Sequence, residues 1–208
     1  HTAMVTGHLP ASHGIDSNTP LDPFNYTNNG WYWFTEQVRK PLLWDVARQA
    51  GKKTAAVYWP VTVGAKIDFN LPEYRVLRTE DDIALMRAMS TSGLVAEVEK
   101  KHGPATLPQT DEFRTHVAAH ILRTEKPDLL LLHLIDLDHD QHEFGPNTAE
   151  AHKALETIDE LLGRLRKAVK ETGLENDYTW VIVSDHGFRP ISKLFHPNAA
   201  LNSLGYLN

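Results

Sequence analysis

The sequence predicts an α/β fold, with a mostly parallel sheet covered by helices on both faces. Three β-forming runs carry this reading, 54–58, 129–135 and 179–184, each apolar at consecutive rather than alternating positions, as strands buried on both sides are. Between them lie segments whose apolar residues recur every three or four positions, the pattern of helices that cover such a sheet. At 208 residues and 41% hydrophobic, the chain can bury a sizeable core, and 1–208 reads as one α/β domain.

Taken in order, 6–32 is rich in Gly, Pro, Asn, Asp and Ser and reads as a long loop without regular structure. Val38, Leu42, Leu43, Val46, Ala47 and Ala50 predict a helix over 35–50, with Pro41 near its first turn and Gly51 as its cap. Thr54-Ala-Ala-Val-Tyr58 is a short buried strand that leaves the sheet at Trp59-Pro60. Thr79, Asp81 and Asp82 open a second helix whose Ile83, Met86, Met89, Leu94, Val95 and Val98 share one face despite Gly93. A third, from Thr110 to about Glu125, turns Phe113, Val117, Ile121 and Leu122 inward. After strand 129–135, the longest helix runs from Thr148 to Thr172 with Leu155, Ile158, Leu161, Leu162, Leu165 and Val169 inward, and Gly173 closes it. Strand 179–184 follows.

Composition excludes several roles. The net charge of -6 and the scattered lysines and arginines give no basic face, so nucleic acid is not expected as a main partner. The absence of cysteine removes disulfides, thiolate metal sites and cysteine nucleophiles, and leaves the compartment open. No apolar stretch approaches the roughly 20 residues that cross a bilayer, so no membrane segment is expected. The start at His1 without an initiator methionine and the abrupt stop at Asn208 suggest a domain truncated at both ends.

Chemistry concentrates where two of the strands end. Asp138-His139-Asp140-Gln141-His142 follows strand 129–135, and Asp185-His186-Gly187 follows strand 179–184. Asp138 and His142 are four residues apart, so in a helical turn both side chains point the same way. Either segment alone reads as a solvated acidic loop, and Asp185 also as a helix cap. Both together, beyond the carboxyl ends of strands in one parallel sheet, they offer carboxylate and imidazole donors to a divalent cation, which predicts a metallohydrolase. Asp136, His139 and Asp140 point elsewhere and are expected to support the ligands or face solvent.

Val5-Thr6-Gly7-His8-Leu9-Pro10-Ala11-Ser12-His13-Gly14-Ile15 resembles the V-T-G-x-x-P-x-x-H-G-I signature of the type I phosphodiesterase/nucleotide pyrophosphatase family of the alkaline phosphatase superfamily. Asp138-x-x-x-His142-x-x-Gly145-Pro146 is similar to its D-x-x-G-H-x-x-G-P, and Ser184-Asp-His-Gly187 to its S-D-H-G. Lys40-Pro-Leu-Leu-Trp44 and Tyr58-Trp59-Pro60 resemble further family segments, in the same order along the chain. The resemblance implies an alkaline-phosphatase-like sheet, incomplete in this chain, with two divalent metal ions, expected to be zinc. Asp138 and His142 would ligate one and Asp185 and His186 the other. His1 matches the histidine of the family's T-x-P-x-H, which puts the threonine nucleophile four residues upstream and leaves no catalytic nucleophile within 1–208. A further aspartate ligand near the N-terminus and a histidine ligand far downstream are also expected outside it, His196 coming too soon for that role. His13 is expected to hydrogen-bond its own loop.

The implied activity is hydrolysis of phosphodiester or nucleotide pyrophosphate bonds in a small phosphate ester or nucleotide. Asn18 matches a family asparagine that donates to a phosphate oxygen, and reads equally as a turn residue. His133 stands where nucleotide-preferring members carry a base-stacking tyrosine, and Gln141 where they carry glycine, which puts nucleotide preference in question. Trp31, Tyr32 and Trp33 are either a second aromatic wall or core. Two alternatives stay open: a superfamily relative acting on phosphomonoesters, phosphonates or sulfates, and a noncatalytic ligand- or partner-binding domain. The resemblance also suggests a periplasmic or secreted protein.

Overall fold

A computed structural model describes residues 1–24, 26 and 30–206, so part of the expected 6–32 loop lies outside the described residues. The sheet has three parallel strands, β1 (Thr54–Val57), β2 (Phe69–Leu71) and β3 (Leu129–Leu132), in the order β2-β1-β3. Ala55 pairs with Phe69 on one side and Leu130 on the other. Alternate side chains feed two cores. Ala55, Val57, Leu130 and Leu132 face the larger one with Met86, Val98, Val117, Ile121 and Leu165, whereas Ala56, Leu129 and Leu131 face the smaller one with Val5, Leu42, Trp44 and Trp59. Helices therefore cover both faces, as consecutive apolar positions in the strands require.

The helices are α1 (Thr2–Thr6), α2 (Pro10–His13), α3 (Leu43–Gln49), α4 (Asp82–Met89), α5 (Leu94–His102), α6 (Asp111–Thr124), α7 (Asp136–Phe144), α8 (Ala149–Glu171) and α9 (Pro197–Ser203). Thr110 and Thr148 cap α6 and α8 by accepting the Phe113 and Ala151 amides.

Several elements depart from the sequence reading. A short helix, α2, lies inside the expected loop, with Pro10 opening it and Gly14 ending it at φ 87°. Gly14 adopts that positive φ without strain, and an added Cβ would also lie 3.0 Å from Nε of Arg39, whose side chain would have to shift. The helix expected over 35–50 is a 3₁₀ turn at Thr35–Gln37 and then α3, which begins only after Pro41, since a residue preceding proline is pushed out of helical geometry. The single helix expected from Thr79 to Val98 is two, α4 and α5, broken where Gly93 turns to φ 81°. Strand β2 carries too short an apolar run to be seen in the sequence. Leu155 is 54% exposed, not inward.

The expected strand 179–184 is not a strand. Tyr178 anchors it, donating its hydroxyl to the Pro127 carbonyl at 2.6 Å, but Val181, Ile182 and Val183 are 78%, 72% and 62% exposed. A strand exists by pairing, and among the described residues no neighbour pairs with this segment.

Candidate active site

Helix α7 starts four residues after the end of β3 and carries Asp138 and His142 one turn apart, with His142 Nε2 3.7 Å from Asp138 Oδ1. The segment after Tyr178 delivers Asp185 and His186 to the same place. His186 Nε2 lies 3.5 Å from Asp138 Oδ1 and 3.6 Å from Asp185 Oδ2. All four side chains singled out in the sequence thus gather beyond the carboxyl end of β3, where open parallel sheets place their ligands. His1 joins them, Nδ1 3.6 Å from Asp185 Oδ2.

The donor set suits a cation. Asp138 Oδ1 is buried without a hydrogen-bond partner, and the ion-pair partners of Asp138 and Asp185 among the described residues are all histidines. Two donors on one tetrahedral zinc with bonds near 2.0–2.1 Å stand roughly 3.3 Å apart. The Asp138–His142 and Asp185–His186 separations of 3.7 and 3.6 Å are close to that. Among the described residues no group of three or more His, Asp or Glu forms a complete ligand set for one ion, so the site consists of converging donor pairs.

His133 sits beside the cluster with its ring 4.1 Å from that of His1 and 6.5 Å from Trp59. Its amide donates to the Val57 carbonyl at 3.1 Å, which fixes the backbone as the chain leaves β3. Burial, helped by the nearby Arg114 guanidinium, pushes its pKa down to about 4, so the ring is neutral near pH 7.

A cavity of about 260 Å³ opens next to these groups, lined by His1, His13, Asn18, Tyr32, Pro60 and Asp185. Asn18 is exposed on its wall, and its carbonyl accepts the Tyr32 amide at 3.1 Å. His13 is buried and takes the Ile15 amide on Nδ1 at 3.2 Å, a bond within its own loop. The three aromatics at 31–33 divide. Tyr32 faces the cavity, Trp33 packs on Tyr74 at 5.5 Å in the core, and Trp31 donates Nε1 to Glu73 at 3.0 Å.

Sequence reasoning missed Phe188, whose ring stands edge-on to His142 at 4.7 Å and to His186 at 5.3 Å. Its position directly after Ser184-Asp-His-Gly187 was the available signal. It also missed Asp111 and Arg114, charged residues near the start of α6 that are only 1% and 3% exposed.

Polar, cation-suited side chains beyond the strand ends of a helix-covered parallel sheet are the layout of an open-sheet α/β enzyme. The chain matches the family described as type I phosphodiesterase/nucleotide pyrophosphatase over residues 1–207, and it belongs to that family, within the alkaline phosphatase superfamily. It is 26% identical over 198 residues to venom phosphodiesterase CdcPDE of Crotalus durissus collilineatus, covering 92% of this chain and 21% of that protein. It is 24% identical over 197 residues to ectonucleotide pyrophosphatase/phosphodiesterase family member 1 of Homo sapiens, covering 90% and 18%. The chain thus spans about a fifth of the length of these relatives. In fold it is similar to phosphonoacetate hydrolase from Sinorhizobium meliloti 1021 in complex with phosphonoformate, with TM-score 0.53 and 21% identity over 80% of this chain and 41% of that one.

Proposed function

We propose that the protein hydrolyses phosphoric esters, of the phosphodiester or nucleotide pyrophosphate type, with two zinc ions and a threonine nucleophile supplied upstream of His1. The observation that carries this is the meeting of Asp138, His142, Asp185 and His186 in a chain that matches a phosphodiesterase family from 1 to 207. Asp138 and His142 would hold one ion, Asp185 and His186 the other. Bound there, the ions would neutralise charge on the ester oxygens and lower the pKa of the attacking hydroxyl.

The chain's own residues do the positioning. Asn18, on the wall of the cavity that Asp185 also lines, donates its side-chain amide to a nonbridging phosphate oxygen. His133, neutral and set at a tilt against the His1 ring, offers a ring face without adding charge beside the substrate. Among the described residues no helix is long and apolar enough to cross a membrane. The names of the relatives, a venom phosphodiesterase and an ectonucleotide pyrophosphatase/phosphodiesterase, favour action outside the cell.

The test is to assay the full-length polypeptide, loaded with zinc, on chromogenic phosphodiester, phosphomonoester and sulfate ester substrates. The diester should turn over fastest, and Asp138→Asn or His186→Ala should lower its rate by at least the roughly 100-fold that loss of even an outer-shell partner can cost. A faster monoester or sulfate reaction would assign a superfamily relative instead. A zinc-loaded protein inert on all three would leave a noncatalytic binding domain.

A further inference from the structure

Helix α7 carries two of the four donors, yet none of its residues is buried, so apolar packing alone does not set its direction. A polar clamp from another helix holds its start. Asp111, the first residue of α6, accepts the Ile135 amide on Oδ1 at 2.8 Å and the Asp136 amide on Oδ2 at 2.9 Å. Those are among the first free amides of α7, which its own N-cap, Ile135, has no side-chain oxygen to satisfy. The bond is returned, since the Asp111 amide donates to Asp136 Oδ2 at 3.0 Å, and each helix start thereby caps the other.

Arg114 holds Asp111 in place. Its guanidinium pairs with the Asp111 carboxylate, donates to the Gln109 carbonyl at 2.6 Å, reaches within 3.7 Å of Asp136 Oδ1 and lies 3.9 Å over the ring of Tyr58. Tyr58 is the residue that leaves β1, and its hydroxyl donates to the Tyr74 carbonyl at 2.7 Å. Through these contacts the start of α7 is referenced to the rim of the sheet rather than to solvent.

A buried ion pair is a poor way to add stability, because apolar residues of similar volume often do as well or better. It is a good way to fix an orientation, as each hydrogen bond has a direction. We propose that the Asp111–Arg114 pair is a positioning device that sets the rotation and tilt of α7, and so aims Asp138 and His142 at Asp185 and His186. The inference rests on the metal-site reading above.

The experiment uses the full-length protein with zinc and with cobalt(II) as a spectroscopic probe. Asp111→Asn puts an amide donor against one of the α7 amides. It should weaken the ion held by Asp138 and His142 by about 10- to 100-fold, leave the second ion's affinity near wild type, and lower kcat with little change in KM. Arg114→Lys keeps the charge but loses the fork and the ring contact, so it should show the same one-site weakening in smaller degree, and it carries the test should Asp111→Asn fail to fold. Wild-type affinity for both ions in the folded variants, while Asp138→Asn abolishes one, would overturn the positioning role. If Asp138→Asn itself leaves both ions bound, the metal-site reading fails and the positioning role with it. An equal loss at both ions would make the pair merely structural and also overturn it.

Discussion

Asp82 shows how one buried carboxylate can organise a turn. It takes the Tyr74 hydroxyl at 2.7 Å, the Thr79 amide at 3.0 Å and the Leu77 amide at 3.1 Å. Burial pushes its pKa up, but these donors outweigh that and hold it below the usual carboxylate range. A folded pKa below the unfolded one means stability that is present above about pH 4 and lost as pH falls through the folded value. Asp82→Asn should therefore be less stable than wild type at pH 7, with the gap in urea midpoint closing below pH 4. A gap constant down to pH 2 would show that the charge is not what matters. Asp138 differs in its bonding, with Oδ1 buried without a hydrogen bond among the described residues and facing only the His142 and His186 rings at 3.7 and 3.5 Å.

At the scale of elements, periodicity in the sequence locates helices well and their breaks badly. Helix α6 begins after the Thr110 cap and buries Phe113, Val117, Ile121 and Leu122, as its spacing predicts. In contrast, Ile83 and Val98 lie on one apparent face but in two helices, because a glycine cap and a change of direction leave the spacing of apolar residues untouched. Helix α8 shows the same limit, since Leu155 and Leu161 look alike in the sequence and are 54% and 1% exposed. Leu161→Ala should lower stability by about 2–5 kcal/mol and Leu155→Ala by no more than about 0.5 kcal/mol, measured by urea denaturation. Comparable losses at both would mean that the outward turn of α8 near 155 is wrong.

At the scale of the whole molecule, the notable feature is an open side of the sheet. β3 sends Leu130 and Leu132 to one core and Leu129 and Leu131 to the other, the pattern of an interior strand, yet among the described residues it pairs only with β1. The 179–184 segment starts beside Pro127 and ends beside Asp138, so it runs in the same direction as β3 without bonding to it. Unpaired, exposed and β-forming, Val181, Ile182 and Val183 should associate between molecules. Residues 1–208 expressed alone should self-associate with rising concentration in sedimentation velocity, and Val181→Lys with Val183→Lys should suppress it. A monomeric wild type at high concentration would refute this.

The sequence by itself determined the α/β class, the strands β1 and β3, the two-sided burial of the sheet and the four side chains worth watching. Those follow from local chemistry: apolar periodicity, capping residues and the spacing of carboxylates and imidazoles are written residue by residue. Only the tertiary structure decided that 179–184 does not pair, that α4 and α5 separate, that Phe188 and His1 stand against the site, and that Asp111 and Arg114 are buried behind it. Each of these depends on what lies opposite a residue in space, and that information belongs to pairs of distant segments rather than to either one.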